Sequence, residues 1–150
     1  MGFDISGINP NLNKINKEGE PIGGYFRNNV WWWRKLWSLV GAVGEDRYRA
    51  MNDIGDVCED CIDKEHLEVL DKWHNAWEAG CMNDGHKYEG IIYDMTIEAL
   101  NFALENKEHE SVTQTLKLMD ENYGEEYPFD WDNVKQFRDF VVNSGGFEIW

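Results

Sequence analysis

The stretch RNNVWWWRKLW, Arg27 to Trp37, sets four tryptophans and three cations side by side in eleven residues. Indole rings are large and mostly apolar, so a fold that contains this segment must bury most of it. On a helix, at about 100° per residue, the segment divides into two faces. Trp33, Leu36, Trp37 and Val40 fall on one side, with Trp32 and Leu39 beside them, and form a stripe suited to a core. Trp31 falls with Arg34, Lys35 and Ser38 on the side that should meet solvent. Arg34 and Lys35 lie three and four residues beyond Trp31, close enough on a helix to act on one object.

The remainder of the chain supports a folded unit around that segment. With 150 residues, 42% of them hydrophobic and 14% aromatic, it has the size of one domain and more apolar surface than a disordered acidic chain carries. Residues 1–150 are read as a single domain. The most hydrophobic window, Val30 to Val43, is interrupted by Arg34 and Lys35, so no membrane span is expected. The opening MGFDISGINP lacks a basic leader followed by an apolar run and does not read as a secretory signal, which makes the cytoplasm the expected compartment.

The net charge of −15 disfavours direct binding to nucleic acids or membrane surfaces. That charge is unevenly spread. Between Pro21 and Gly44 there is no Asp or Glu, and Arg27, Arg34 and Lys35 give the window +3, whereas residues 45–150 carry −17.

Both ends alternate apolar and polar residues. GFDI begins at Gly2 and GFEI at Gly146, and the two are expected to pair as neighbouring strands, placing Asp4 and Glu148 on one face with a cation or a shared proton between them. Residues 7–24, rich in Asn, Gly and Pro, read as a loop. Helices are expected from Asn28 or Asn29 to Gly41–Gly44, from Glu45 to Val57, and from Asp63 toward Gly80. Others run from Asp94 through Leu104, from Ser111 to Glu121, and from Asp130 or Asp132 to Ser144. The Asn83-Asp84-Gly85 stretch is a turn signal. The fold class is therefore α+β and mainly helical, about five helices with a small sheet made by the terminal strands.

An exposed indole beside two cations describes a site that stacks a ring and neutralises phosphate or carboxylate. The bland reading of the same residues is an intramolecular cation–π pair of Arg34 on Trp31. Arg27, Asn28 and Asn29 favour the ligand reading, because a helix N-terminus flanked by Arg and Asn suits an anion. Asn83, Asp84, Asp4 and Glu148 are candidates for reading hydroxyl groups.

Other chemistry is weaker. Cys58, Cys61, Cys81 and His86 could supply four zinc ligands, but CMNDGH is not a second tight pair, and Glu59 and Asp60 repel thiolates. An odd number of cysteines fits reduced thiols, and the CxxC lacks a thioredoxin-like context. His66 and His74 stand two turns apart, too far to share a metal easily, and His109 lies in a charged linker. No GxSxG motif or glycine-rich phosphate loop is present, so no catalytic residues and no cofactor are assigned. Trp150 has two open destinations, the core or a second subunit.

The segments GGYFRNNVWWWRKLW, NDG and YPFDWDNVKQFRDFVVNSGGFEIW resemble a group of small proteins encoded by bacteriophages and bacterial genomes. The resemblance covers both ends of the chain better than its middle. Lys35 stands where proline is usual in that group, and a Cys-rich insert carried by some members before the last helix is missing. The resemblance implies a phage or prophage accessory protein acting in the bacterial cytoplasm. The resulting expectation is a non-catalytic binder of a small anionic, nucleotide-like molecule that sequesters a host defence signal. The alternatives are an acidic inhibitor that occupies a host protein by imitating nucleic acid, and a nucleotide-processing enzyme.

Overall fold

A computed structural model describes residues 2–82 and 85–150. Strand β1 (Gly2–Gly7) and strand β2 (Tyr25–Asn29) lead directly into helix α1 (Val30–Met51), and a 3-10 turn (Glu59–Cys61) precedes helix α2 (Lys64–Ala79). Strand β3 (His86–Tyr88), helices α3 (Gly90–Glu105), α4 (Glu110–Tyr123) and α5 (Trp131–Ser144), and strand β4 (Phe147–Ile149) complete the chain. The architecture is α+β and mainly helical, with five α-helices and one four-stranded antiparallel sheet in the order β2-β1-β4-β3.

The terminal strands pair as the sequence suggests, with Ile5 opposite Ile149 and Ser6 opposite Glu148. Alternation then decides which face is buried. Phe3, Ile5, Phe26, Tyr88, Phe147 and Ile149 point into the core, while Tyr25, Arg27, Lys87 and Trp150 are exposed on the other face. Asp4 and Glu148 share that outer face, and a cation stands opposite each. Arg27 stands opposite Asp4 and approaches it to 3.7 Å, and Lys87 stands opposite Glu148. The Tyr25 hydroxyl also donates to Asp4, and that bond, ahead of burial, raises the tyrosine above its ordinary pKa. Trp150 lies half exposed at the end of β4, its backbone N–H donating to the Asp4 carbonyl at 2.7 Å.

Helix α1 corrects two expectations at once. Gly41 and Gly44 do not end a helix; α1 runs through them and absorbs the first part of the helix expected from Glu45. Their role is close approach. A Cβ on Gly41 would stand 2.5 Å from the Trp77 indole, and one on Gly44 would stand 2.3 Å from Trp73. Helix α2 thus lies on α1 through two tryptophans one turn apart, and the Trp73 indole N–H donates to the Gly41 carbonyl at 3.0 Å. Trp37 and Trp77 exchange indole N–H bonds to each other's carbonyls at 2.7 and 2.9 Å. Trp33 donates to the Gly80 carbonyl at 2.8 Å, so Trp33, Trp37 and Trp73 are buried and the partly buried Trp77 packs against them, each with its polar atom satisfied.

Other boundaries shift for local reasons. Tyr25–Asn29 is a strand that the sequence reading left out, and Asn29 rather than Asn28 caps α1, accepting from the Trp32 N–H at 3.0 Å. Helix α3 starts at Gly90, before Asp94, because Gly90 turns the chain at a positive φ of 62°. Helix α4 starts at Glu110, where the His109 ring accepts from the Ser111 N–H at 3.1 Å, and Asp130 caps α5. Gly145 closes α5 at φ 65°, the left-handed conformation for which a glycine after a helix is suited. Among the described residues no helix is long and apolar enough to cross a membrane.

Candidate functional site

The outward face of α1 is continuous. From Trp31 it runs through Arg34, Ser38 and Ala42 to Glu45, spaced so that each residue follows the last along one side of the helix. Helices α2 and α4 both lie against α1 on either side of this face, leaving a groove between them with a cavity of about 330 Å³. Its floor is Ser38, Gly41, Ala42 and Glu45. Trp73 and Trp77 form one wall, and Met119, Leu118 and Tyr123 form most of the other. The Trp77 indole packs directly over Gly41, and the next floor residue, Ala42, is small.

The ends of the groove differ chemically. At the C-terminal end of the floor Glu45 meets the His74 imidazole and lies 3.8 Å from Arg49. At the other end Ser38 and the Tyr123 hydroxyl are 3.2 Å apart. Tyr123 continues the surface, its ring packing against Tyr127 at 5.8 Å and Tyr127 against Trp31 at 4.8 Å. The Arg34 guanidinium lies over the Tyr127 ring at 5.9 Å, and no ion pair involves Arg34 among the described residues. A cation held on an aromatic face keeps its N–H donors available in a way that an ion-paired one does not.

The sequence-derived constellation is divided by this geometry. Trp31 is 52% exposed, as expected, but its ring neighbour is Tyr127, and Arg34 stacks on Tyr127 rather than on Trp31. Lys35 is a correction. It is only 3% exposed, and its ammonium donates to Asp120 at 2.7 Å, because helix α4 crosses α1 there and covers the position. The cavity beside it, about 540 Å³, carries Asp120 and Glu125 and does not suit an anion.

At the α1 N-terminus the candidate anion-binding residues have partners within the protein. Asn29 uses its own side chain to satisfy the Trp32 N–H, and Asn28 is buried in a reciprocal amide pair with Asn133 at 3.0 and 2.9 Å. Arg27 points to the outer sheet face and pairs with Asp4, and the cavity of about 320 Å³ beside these residues holds Asp130 and Asp132. Asp4 and Glu148 belong to that same sheet face and not to the groove. Asn83 and Asp84 lie outside the described residues.

Cys58 and Cys61 are exposed on the connection from α1 to α2, whereas the Cys81 sulfur is turned toward the Trp77 carbonyl at 3.6 Å. Among the described residues no three His, Cys, Asp or Glu side chains gather as metal ligands. What the sequence reading missed is the groove itself. Its signal is present as a pair of patterns, Gly41 and Gly44 three apart on one helix and Trp73 and Trp77 four apart on another.

Comparison of the chain with family models, with curated proteins and with solved structures finds no match in any of the three.

Proposed function

We propose that the chain binds a small anionic, nucleotide-like molecule in the α1 groove and holds it without transforming it. The single observation that carries this reading is a groove with two indoles on one wall and, beyond its open end, a guanidinium that lies over Tyr127 and has no ion pair among the described residues. Small-molecule sites are mostly apolar cavities of about 300–1,000 Å³ with a few polar groups that fix orientation, and this groove matches that description at the small end. In this reading a flat ring lies over Ala42 beside Trp77, where Glu45 and His74 can accept from or donate to its edge. The anionic group extends past Ser38 and Tyr123 toward Arg34, and Trp31 and Tyr127 supply a second stacking surface there. The phage-protein resemblance extends the reading to sequestration of a host signalling nucleotide.

Calorimetric titration with AMP, 3′,5′-cyclic AMP and ADP-ribose tests it. At least one of these is expected to bind, and Arg34→Ala is expected to weaken that binding about tenfold or more, the loss typical of a charge-assisted contact. No binding by any of the three, or equal binding by Arg34→Ala, contradicts the reading.

The contact between Glu45 and His74 at one end of the groove favours a second reading, a nucleotide-processing enzyme with that pair as its acid and base. Recovery of the bound nucleotide unchanged after long incubation separates the two.

A further inference from the structure

The CEDC stretch lies away from the groove, on the connection between α1 and α2. Its 3-10 turn, with the Cys61 N–H donating to the Cys58 carbonyl at 3.0 Å, folds the segment back so that the two sulfurs stand 3.2 Å apart. Both cysteines are exposed. A disulfide is about 2.05 Å long, so bond formation needs only about an ångström of side-chain adjustment and no rearrangement of the loop.

We propose that Cys58 and Cys61 are a reversible dithiol site, oxidised to an intramolecular disulfide by small-molecule disulfides, with Cys58 as the attacking sulfur and Cys61 as the resolving one. In the first step the Cys58 thiolate attacks one sulfur of the small disulfide, forms a mixed disulfide and releases one small thiolate. In the second, Cys61 loses its proton to solvent and attacks the Cys58 sulfur, forming the Cys58–Cys61 bond and releasing the second small thiolate. The two protein thiols are oxidised, and the small disulfide is reduced to two thiols. An excess of a small dithiol reverses the sequence.

The assignment of roles follows from the local bonds. The hydrogen bond shared by the two sulfurs, with backbone N–H groups of the same turn, those of Cys61 and Asp60 among them, holds the Cys58 thiol below its ordinary pKa. The same sulfur-to-sulfur bond raises Cys61. Cys81 is the internal contrast. Burial, opposed by the nearby Arg34 and assisted by Glu78, pushes its thiol up, and a thiol held protonated is a poor nucleophile. The chain therefore carries one activated thiol, one resolving thiol and, in the exposed Cys81, one whose pKa is raised.

Exposure of the purified protein to oxidised glutathione, followed by alkylation and intact-mass measurement, tests the proposal. The wild-type chain is expected to lose two alkylatable thiols without retaining glutathione, and to regain both on treatment with dithiothreitol. Cys61→Ser is expected to trap one glutathione at Cys58, and Cys58→Ser to capture it at Cys61 several-fold more slowly. Cys81 is expected to stay alkylatable throughout. Three alkylatable thiols in the treated wild type, a bond between two chains, or equal rates in the two serine variants overturn the proposal.

Discussion

The two faces of α1 use the same residue type for opposite purposes. On the inward face Trp33 and Trp37 stack at 5.0 Å, touch Phe137, and spend their indole N–H groups on carbonyls of the α2 region. On the outward face Trp31 is half exposed, with the Tyr127 ring tilted against it at 4.8 Å, and the positions that follow are small or polar. The contrast repeats among the cations, since adjacent Arg34 and Lys35 end in different environments, one over a ring and one sealed against Asp120. A Trp-rich helix is thus a core element on one side and a partly exposed surface on the other, and neighbouring helices decide which residues belong to which.

The largest expected effect sits on the inward face. Trp37→Ala should cost about 3–5 kcal/mol, because it opens a cavity and removes the shortest of the hydrogen bonds to the Trp77 carbonyl, as urea unfolding would measure. Asp120→Ala comes next. It leaves a buried ammonium uncompensated and should cost about 2–3 kcal/mol, whereas Lys35→Met, which removes the charge and keeps the length, should be near neutral. Equal losses in those two variants would show that Lys35 is not sealed.

Gly44→Ala is a finer probe. Helix propensity alone favours alanine by about 1 kcal/mol, but the added carbon would meet Trp73 at 2.3 Å, so a net loss of about 1–3 kcal/mol is expected. A gain would mean that α2 does not lie as close as described. The smallest stability effect belongs to Trp31→Ala, expected within about 0.5 kcal/mol because half of the ring already meets water. Its calorimetric binding of the nucleotide should nevertheless weaken measurably.

The parts of the fold legible in the sequence are those where a local signal and the tertiary context agree. The paired GFDI and GFEI termini, the Asp130 cap with its glycine stop, and the apolar stripe of α1 are of this kind. Gly41 and Gly44 were misleading because a glycine inside a helix carries the same local signal as one that ends it, and only the facing tryptophans tell them apart. Lys35 was misleading because periodicity places a residue on a face but does not say whether another helix covers that face. Of the candidate site, Trp31, Arg34 and Ser38 were legible as one surface. The groove that extends it was not, since it depends on two helices distant in sequence lying against the same stretch of α1.

The central claim, that the outward face of α1 and the groove beyond it receive the ligand, is most directly tested by fluorine NMR. Protein labelled with 5-fluorotryptophan, whose signals are assigned by single Trp→Phe variants, is titrated with ADP-ribose. The expected result is that the signals of Trp77, Trp73 and Trp31 move together along one binding curve while that of Trp150, on the outer face of the sheet, stays fixed. Movement of Trp150 with the groove tryptophans unmoved, or no movement in any signal, would contradict it.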